Sequence, residues 1–147
     1  MNRYYRFPLV FEDVIQKKEL KMTDLNKSIA QNIYLILTSE FGEYRFDDSY
    51  GCSIWEHDFE NISSVHTWKD QIAQSTRQSI LRHEPRLDQV KVKVEIGLEE
   101  KKLMVVSRSV SRLKKCVDIT VTGNIVETNQ TFPAYTQRLY ISPFSFD

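Results

Sequence analysis

The sequence is sparing with the residues that usually organise specialised chemistry. Only two of its 147 residues are cysteine, Cys52 and Cys116, and they form no Cys-x-x-Cys spacing. A disulfide-built scaffold is therefore excluded, and both thiols are expected to be reduced. Glycine and proline number four each, too few for a low-complexity linker, and no glycine-rich phosphate loop is present. Charge of either sign is also missing in excess. Twenty Lys and Arg balance twenty Asp and Glu, which removes the electrostatic basis for nonspecific binding to nucleic acid or an anionic membrane. No window approaches the roughly 18 consecutive apolar residues of a membrane span, and residues 1–11 hold no apolar stretch of signal-peptide length. The expectation is a cytoplasmic protein that works through protein partners, with no nucleic acid and no direct membrane insertion.

What is abundant is core-forming material: 41% of residues are hydrophobic and 12% aromatic, enough for one compact domain. Residues 1–22 read as an aromatic arm containing a short helical turn, because Phe7, Leu9 and Phe11 alternate before Asp13-Val14-Ile15. The domain proper is expected over 23–141, followed by a tail, 142–147, carrying Phe144 and Phe146. Thr23 or Asp24 can cap a helix whose apolar residues Leu25, Ile29, Ile33, Ile36 and Leu37 fall on one face. A second helix, with Ser63 or Ser64 as cap, repeats Val65, Trp68, Ile72, Thr76 and Ile80 at three- and four-residue spacing. Pro85 disfavours helical geometry at Glu84, so this helix should end near His83.

Beyond that corner the period changes from helical to alternating. Val90, Val92, Val94 and Ile96 interleave with Lys91, Lys93 and Glu95, as in a half-buried strand with its lysines in solvent. Further strands are predicted at Leu103–Val106, Val117–Thr122 and Arg138–Ile141, punctuated by Gly123-Asn124 and Thr131-Phe132-Pro133. Residues 107–115, with Arg108, Arg112, Lys114 and Lys115, read as a loop or a short helix. The fold class is α+β: two main amphipathic helices packed on a small antiparallel or mixed sheet.

Glu40, Glu43, Asp47 and Asp48 are acids of the type a glycosidase uses, which needs two carboxyls about 5 to 9.5 Å apart, one with a raised pKa. Four acids in nine residues also describe a solvated loop, and Arg45 among them would lower a neighbour's pKa. His57, His66 and His83 lack any His-Glu-x-x-His spacing. Cys52 and His57 could be paired as a thiol dyad, but a small residue packed in an aromatic turn explains Cys52 better. The basic cluster at 108–115 reads as a solvated face. No catalytic residue, metal ligand or cofactor site is assigned.

Two motifs remain. The first is an elbow after the first helix, built on Gly42, Arg45, Asp48, Tyr50 and Gly51, in which the glycines supply turn conformations and Phe41, Tyr44, Phe46, Tyr50 and Trp55 can close the end of the core. Alternation from Tyr44 to Asp48 places Arg45 and Asp47 opposite Tyr44 and Phe46. The second is Glu84-Pro85-Arg86, where residues two apart in extended chain project to one side and could offer acceptor and donor fork together. The competing reading of that pair is an internal surface salt bridge, worth about 0 to 1 kcal/mol.

Together these motifs resemble the small TssE-type wedge proteins in the baseplates of contractile phage tails and type VI secretion machines, often labelled lysozyme-like. The resemblance spans roughly positions 24 to 140. It rests on Leu35-Ile-Leu-Thr-Ser, Gly42-Glu43, Arg45-Phe46, Asp48, Tyr50-Gly51-Cys52 and the Glu84-Pro85-Arg86 triplet. The chain departs from it at Ser39-Glu40-Phe41, where an Arg-Pro or similar pair often precedes the glycine. The resemblance implies a noncatalytic baseplate component in which Glu84, Pro85 and Arg86 contact the helical core bundle of larger wedge subunits. It further implies that the domain links the wedge to tube and sheath proteins. On that basis, if Arg86 is desolvated in the complex, removing it should cost on the order of 2 to 5 kcal/mol of binding and leave the fold intact. The alternatives are a peptidoglycan-cleaving muramidase, which the lysozyme-like label implies, and a small regulatory adaptor with the same fold.

Overall fold

The computed structural model describes residues 4–9, 11–17, 22–56, 65–105 and 108–140. The elements, in chain order, are β1 (Tyr4–Tyr5), α1 (Phe11–Ile15), β2 (Met22–Thr23), α2 (Leu25–Thr38), a 3₁₀ turn (Ser53–Glu56), α3 (Val65–His83), β3 (Leu87–Val105), β4 (Arg108–Ile125) and β5 (Gln130–Tyr140). The fold is α+β. The three long strands form an antiparallel sheet in the order β3-β4-β5, and a separate two-stranded ribbon pairs β1 with β2.

Helix α2 starts where a side chain can satisfy its free amides: Asp24 is extended, and its carboxylate accepts from Lys27 N at 2.9 Å. Thr23 is not the cap; it pairs with Tyr4 in the small ribbon. Replacing Asp24 by Ala should cost about 1 kcal/mol, the usual worth of such a cap, read as a shift in the urea-unfolding midpoint. The predicted stripe is the buried one, with Ile29, Ile33, Ile36 and Leu37 all fully inaccessible. Burial of that kind contributes roughly 1.5–3 kcal/mol per side chain. At the far end Trp55 Nε1 donates to Leu37 O at 2.9 Å, giving one of the helix's last carbonyls a partner.

On α3, Trp68, Ile72, Thr76, Ser79 and Ile80 are buried, whereas Val65 at its first turn is exposed. Ser63 and Ser64, the expected caps, lie outside the described residues. The helix ends at His83, as Pro85 requires. These helices pack on one face of the sheet, against Val90, Val94, Val117, Ile119, Val121, Phe132 and Leu139.

The strands correct the sequence reading in three places. Leu103 does not open a new strand, because β3 runs without interruption from Leu87 to Val105 through Gly97. There a Cβ would stand only 3.3 Å from Cys116 Sγ, so glycine suits the pairing of Gly97 with Cys116. Residues 108–115 are neither loop nor helix but the first half of β4, in register from Arg108 opposite Val105 to Lys115 opposite Leu98. Cross-strand pairing overrides a polar composition that by itself looks like a loop. Finally, Gly123-Asn124 and Thr131–Pro133 are inside strands, and the chain reverses at residues 126–129 instead. Pro133 is tolerated because β5 is an edge strand and its register shifts there, between the Val121–Tyr135 and Gly123–Phe132 pairs.

The arm docks on the domain. Its helical turn falls at Phe11–Ile15, and the alternation before it does not form a strand beyond Tyr4–Tyr5. Phe7 N donates to Gln31 Oε1 on α2.

Candidate functional site

The corner after α3 is wired more tightly than its sequence suggests. Glu84 N still donates to Ile80 O at 2.7 Å, closing the last helical turn, and Leu87 N donates to Glu84 O at 3.2 Å before β3 begins. Arg86 O accepts from Val126 N in the β4–β5 turn at 2.9 Å. This backbone frame fixes both flanking side chains.

Glu84 is fully buried. Its Oε1 accepts from Arg86 Nε at 2.7 Å and from Arg86 N at 3.2 Å. Oε2 accepts from Arg86 Nη2 at 2.7 Å and from Asn32 Nδ2 at 2.9 Å. Each oxygen thus has two donors, which exhausts the acceptor capacity of a carboxylate. Glu84 and Arg86 do not project together into solvent as an open acceptor and donor. They close on each other, with Glu84 inside, Pro85 exposed and the Arg86 side chain 27% accessible. Nor is the pair a surface salt bridge, since one partner is entirely removed from water.

Arg86 has further supports. Its Nη1 donates to Ser28 Oγ at 2.8 Å, and the Tyr4 ring lies 5.2 Å from the guanidinium carbon. Hydrogen bonding to Glu84 raises the Arg86 pKa above its ordinary value. Asn32 joins the corner to the elbow: it donates to His83 O at 3.0 Å and accepts from Tyr50 OH at 2.9 Å. Burial, with Glu84 and Tyr44 nearby, pushes the Tyr50 phenol up to about 12, so it keeps the proton it donates.

In the elbow, Gly42 and Gly51 both have positive φ, +82° and +140°. Gly42 N donates to Asp48 O, Cys52 N to Ser39 O, and Ser79 Oγ to Gly51 O. The chain from 41 to 46 turns repeatedly, so the alternation expected from Tyr44 to Asp48 is not formed. Tyr50 and Trp55 pack on the core. Tyr44 and Phe46 lie edge to face at 5.8 Å, and Phe46 is 84% exposed, so it does not close the core. Arg45 and Asp48 have exposed side chains.

The acids of the elbow fall short of a glycosidase arrangement. Glu40, Glu43 and Asp48 are exposed, and Glu43 accepts from Glu40 N at 2.8 Å. Asp47 is held below its ordinary value by the hydroxyl and amide of Ser49, with smaller help from His83 and Arg82. The cause is therefore Ser49 and not Arg45. Asp47, Ser49 and His83 meet in space: Ser49 Oγ donates to Asp47 and lies 3.3 Å from His83 Nε2, Ser49 O lies 3.1 Å from the same nitrogen, and His83 Nδ1 stands 3.8 Å from the Asp47 carboxylate. A nucleophile and base would need the serine to give its proton to the imidazole and the imidazole to be held by the acid; here the shorter bond from Ser49 Oγ runs to the carboxylate, and His83 Nδ1 lies beyond hydrogen-bond reach of that acid. His66 is exposed beside Asp70 at 3.6 Å. His57, and with it the Cys52–His57 pairing, lies outside the described residues. Among the described residues no three His, Cys, Asp or Glu side chains gather as a metal site, and no helix is long and apolar enough to cross a membrane.

Sequence reasoning passed over Ser28, Asn32 and Tyr4. A usable signal was present: Ser28 and Asn32 stand four apart on a helix with a single charged residue, Lys27, and so share a polar face.

A polar corner locked from inside, an aromatic elbow and a three-stranded antiparallel sheet together define a small α+β domain. Residues 23–130 match the sequence profile of the family described as baseplate wedge protein gp25, and the chain belongs to that family as a structural baseplate component. Among solved structures, it is similar to a Geobacter sulfurreducens protein provisionally assigned as a tail lysozyme. The identity is 17% and the TM-score 0.57, covering 85% of this chain and 98% of that one. It is also similar to a chain of the type VI secretion system baseplate complex, with 16% identity, a TM-score of 0.53, and coverage of 91% and 100%. Both likenesses concern the fold. No curated protein matches the chain.

Proposed function

We propose that the chain is a noncatalytic subunit of a type VI secretion baseplate, or a related contractile injection machine, assembled in the cytoplasm. In this reading residues 23–141 form the working unit and join larger wedge subunits to tube and sheath through protein contacts. Glu84, Pro85 and Arg86 form the contact with the helical core of the wedge, and the elbow of Gly42, Arg45, Asp48, Tyr50 and Gly51 holds that corner in place. The observation that carries this reading is Arg86, half sunk in the corner beside exposed Pro85 and clamped by Glu84 and Ser28. A fork already held in one geometry loses little rotamer freedom on docking. Its charge is compensated from inside, so the outward part of the guanidinium suits neutral acceptors such as carbonyls at the end of a partner helix. Buried Glu84 acts as the clamp, and Pro85 and Arg86 supply the surface.

The muramidase reading has the tail lysozyme assignment of one structural relative behind it, and fold alone does not carry activity. A general acid needs a raised pKa; Asp47 moves the other way.

The test compares copurification of wedge subunits by the wild type and by a Glu84→Leu, Arg86→Met double variant. Exchanging a buried ion pair for apolar residues of similar volume is often neutral for stability, so this variant should fold while losing the fork. The expected result is wedge recovery by wild type alone, a loss on the order of 2–5 kcal/mol of binding, with little change in the urea midpoint. Recovery by both proteins would move the contact elsewhere. Recovery by neither, or peptidoglycan hydrolysis abolished by Asp47→Asn, would overturn the assembly reading.

A further inference from the structure

Helix α2 carries more apolar surface than its core contacts use. Ile29, Ile33, Ile36 and Leu37 are buried, yet Tyr34 is 46% and Leu35 38% exposed on another face. A helix apolar on two faces is normally covered on both. Here the second face forms the floor of a groove of about 620 Å³. Its opposite wall is the arm, where Phe7 is held to Gln31, and Tyr135 of β5 contributes from the sheet.

We propose that this groove is the continuation of the Arg86 contact and receives an amphipathic helix of a larger wedge subunit, acidic along one flank, with its C-terminal carbonyls at Arg86. This rests on the reading of Arg86 as a partner contact. Continuity is the first argument. Thr23 and Lys27 line the groove. Thr23 pairs with Tyr4, whose ring covers Arg86, and Ser28, next to Lys27, is bonded to Arg86. The second argument is charge. The lining includes two cations, Arg6 and Lys27, and no acid. Lys27 stands 4.0 Å from half-exposed Asp24, a surface pair too weak to neutralise it. Polarity follows from chemistry: guanidinium N–H groups match the unpaired carbonyls of a helix C-terminus. From Lys27 to Leu35 the floor runs roughly 12 Å, about two turns of a docked helix.

The experiment titrates fluorescently labelled protein with the larger wedge subunits of the same baseplate, purified as a coexpressed complex. A Tyr34→Glu, Leu35→Glu double variant should bind at least tenfold more weakly. Both positions are exposed, and Tyr34→Ala serves as a milder second variant that should weaken binding less. Arg6→Glu should weaken binding and flatten its salt dependence, whereas Lys91→Glu on the exposed side of β3 should do neither. If the groove variants bind like wild type while the Glu84→Leu, Arg86→Met variant does not, the groove inference fails and the corner reading stands. If all variants bind like wild type, or wild type binds no wedge complex, the corner reading fails with it. A wild-type dimer in sedimentation that Tyr34→Glu renders monomeric would assign the groove to a second copy and overturn the proposal.

Discussion

Glu84→Ala is expected to destabilise the protein by about 3–5 kcal/mol, one of the two largest losses predicted for a single side chain outside the apolar core. The carboxylate is fully buried and receives donors from Arg86 Nε, Arg86 Nη2, Arg86 N and Asn32 Nδ2. Truncation leaves a partly buried guanidinium with its main counter-charge gone, and an amide that also holds His83 O and Tyr50 OH. Uncompensated desolvation, more than the lost bonds, sets the magnitude. In a chain of this size the shift in melting temperature is roughly 10 °C, taking 2–4 °C per kcal/mol. Glu84→Gln keeps the shape and should lose less. A Glu84→Ala protein melting within a degree or two of wild type would mean that Arg86 finds water instead, and that the corner is not rigid. The same geometry revises the expectation for Arg86→Ala: it leaves a buried carboxylate with only Asn32 Nδ2 and Arg86 N as donors, so stability is expected to fall along with binding. Reduced partner binding by either single variant would therefore mix stability with contact, which is why the apolar double variant is the cleaner probe.

Gly51→Ala should cost roughly 2–6 kcal/mol, the sum of backbone strain and forced overlap. At φ +140° an added Cβ would stand 2.7 Å from Ser39 O, 2.8 Å from Glu40 C and 2.9 Å from Glu40 O. Those are backbone atoms, so no side chain can swing aside. Relief would require breaking the Cys52 N to Ser39 O bond that closes the elbow on the end of α2. Gly42 is the internal control. Its φ is +82°, but a Cβ there meets nothing within 4 Å, so Gly42→Ala should cost only about 1–2 kcal/mol of conformational strain. Urea unfolding of the two variants reads the difference directly. Equal losses would show that contact with the Ser39–Glu40 backbone does not decide the cost at Gly51.

Residue order alone carries the α+β class, the core faces of α2 and α3, the helix stop at Pro85, and the likeness to baseplate wedge proteins. These are local properties: apolar periodicity, the geometric veto of proline, and residue spacing in Gly42–Cys52 and Glu84–Arg86. What depends on residues far apart in the chain emerges only on folding. Residues 108–115 are strand because β3 supplies their hydrogen bonds, although their polar composition reads as a loop. Glu84 is buried because Asn32, 52 positions earlier, and the Arg86 fork satisfy it inside the fold. Tyr4 reaches Arg86 through the β1–β2 ribbon, and Asp47 is tuned by Ser49 in a turn whose shape no alternation pattern describes. Burial and hydrogen-bond satisfaction are properties of the assembled chain, since they are set by which distant groups exclude water from a given atom. That is why a triplet visible in the sequence as acceptor, hinge and donor becomes, once folded, a clamp with one working face.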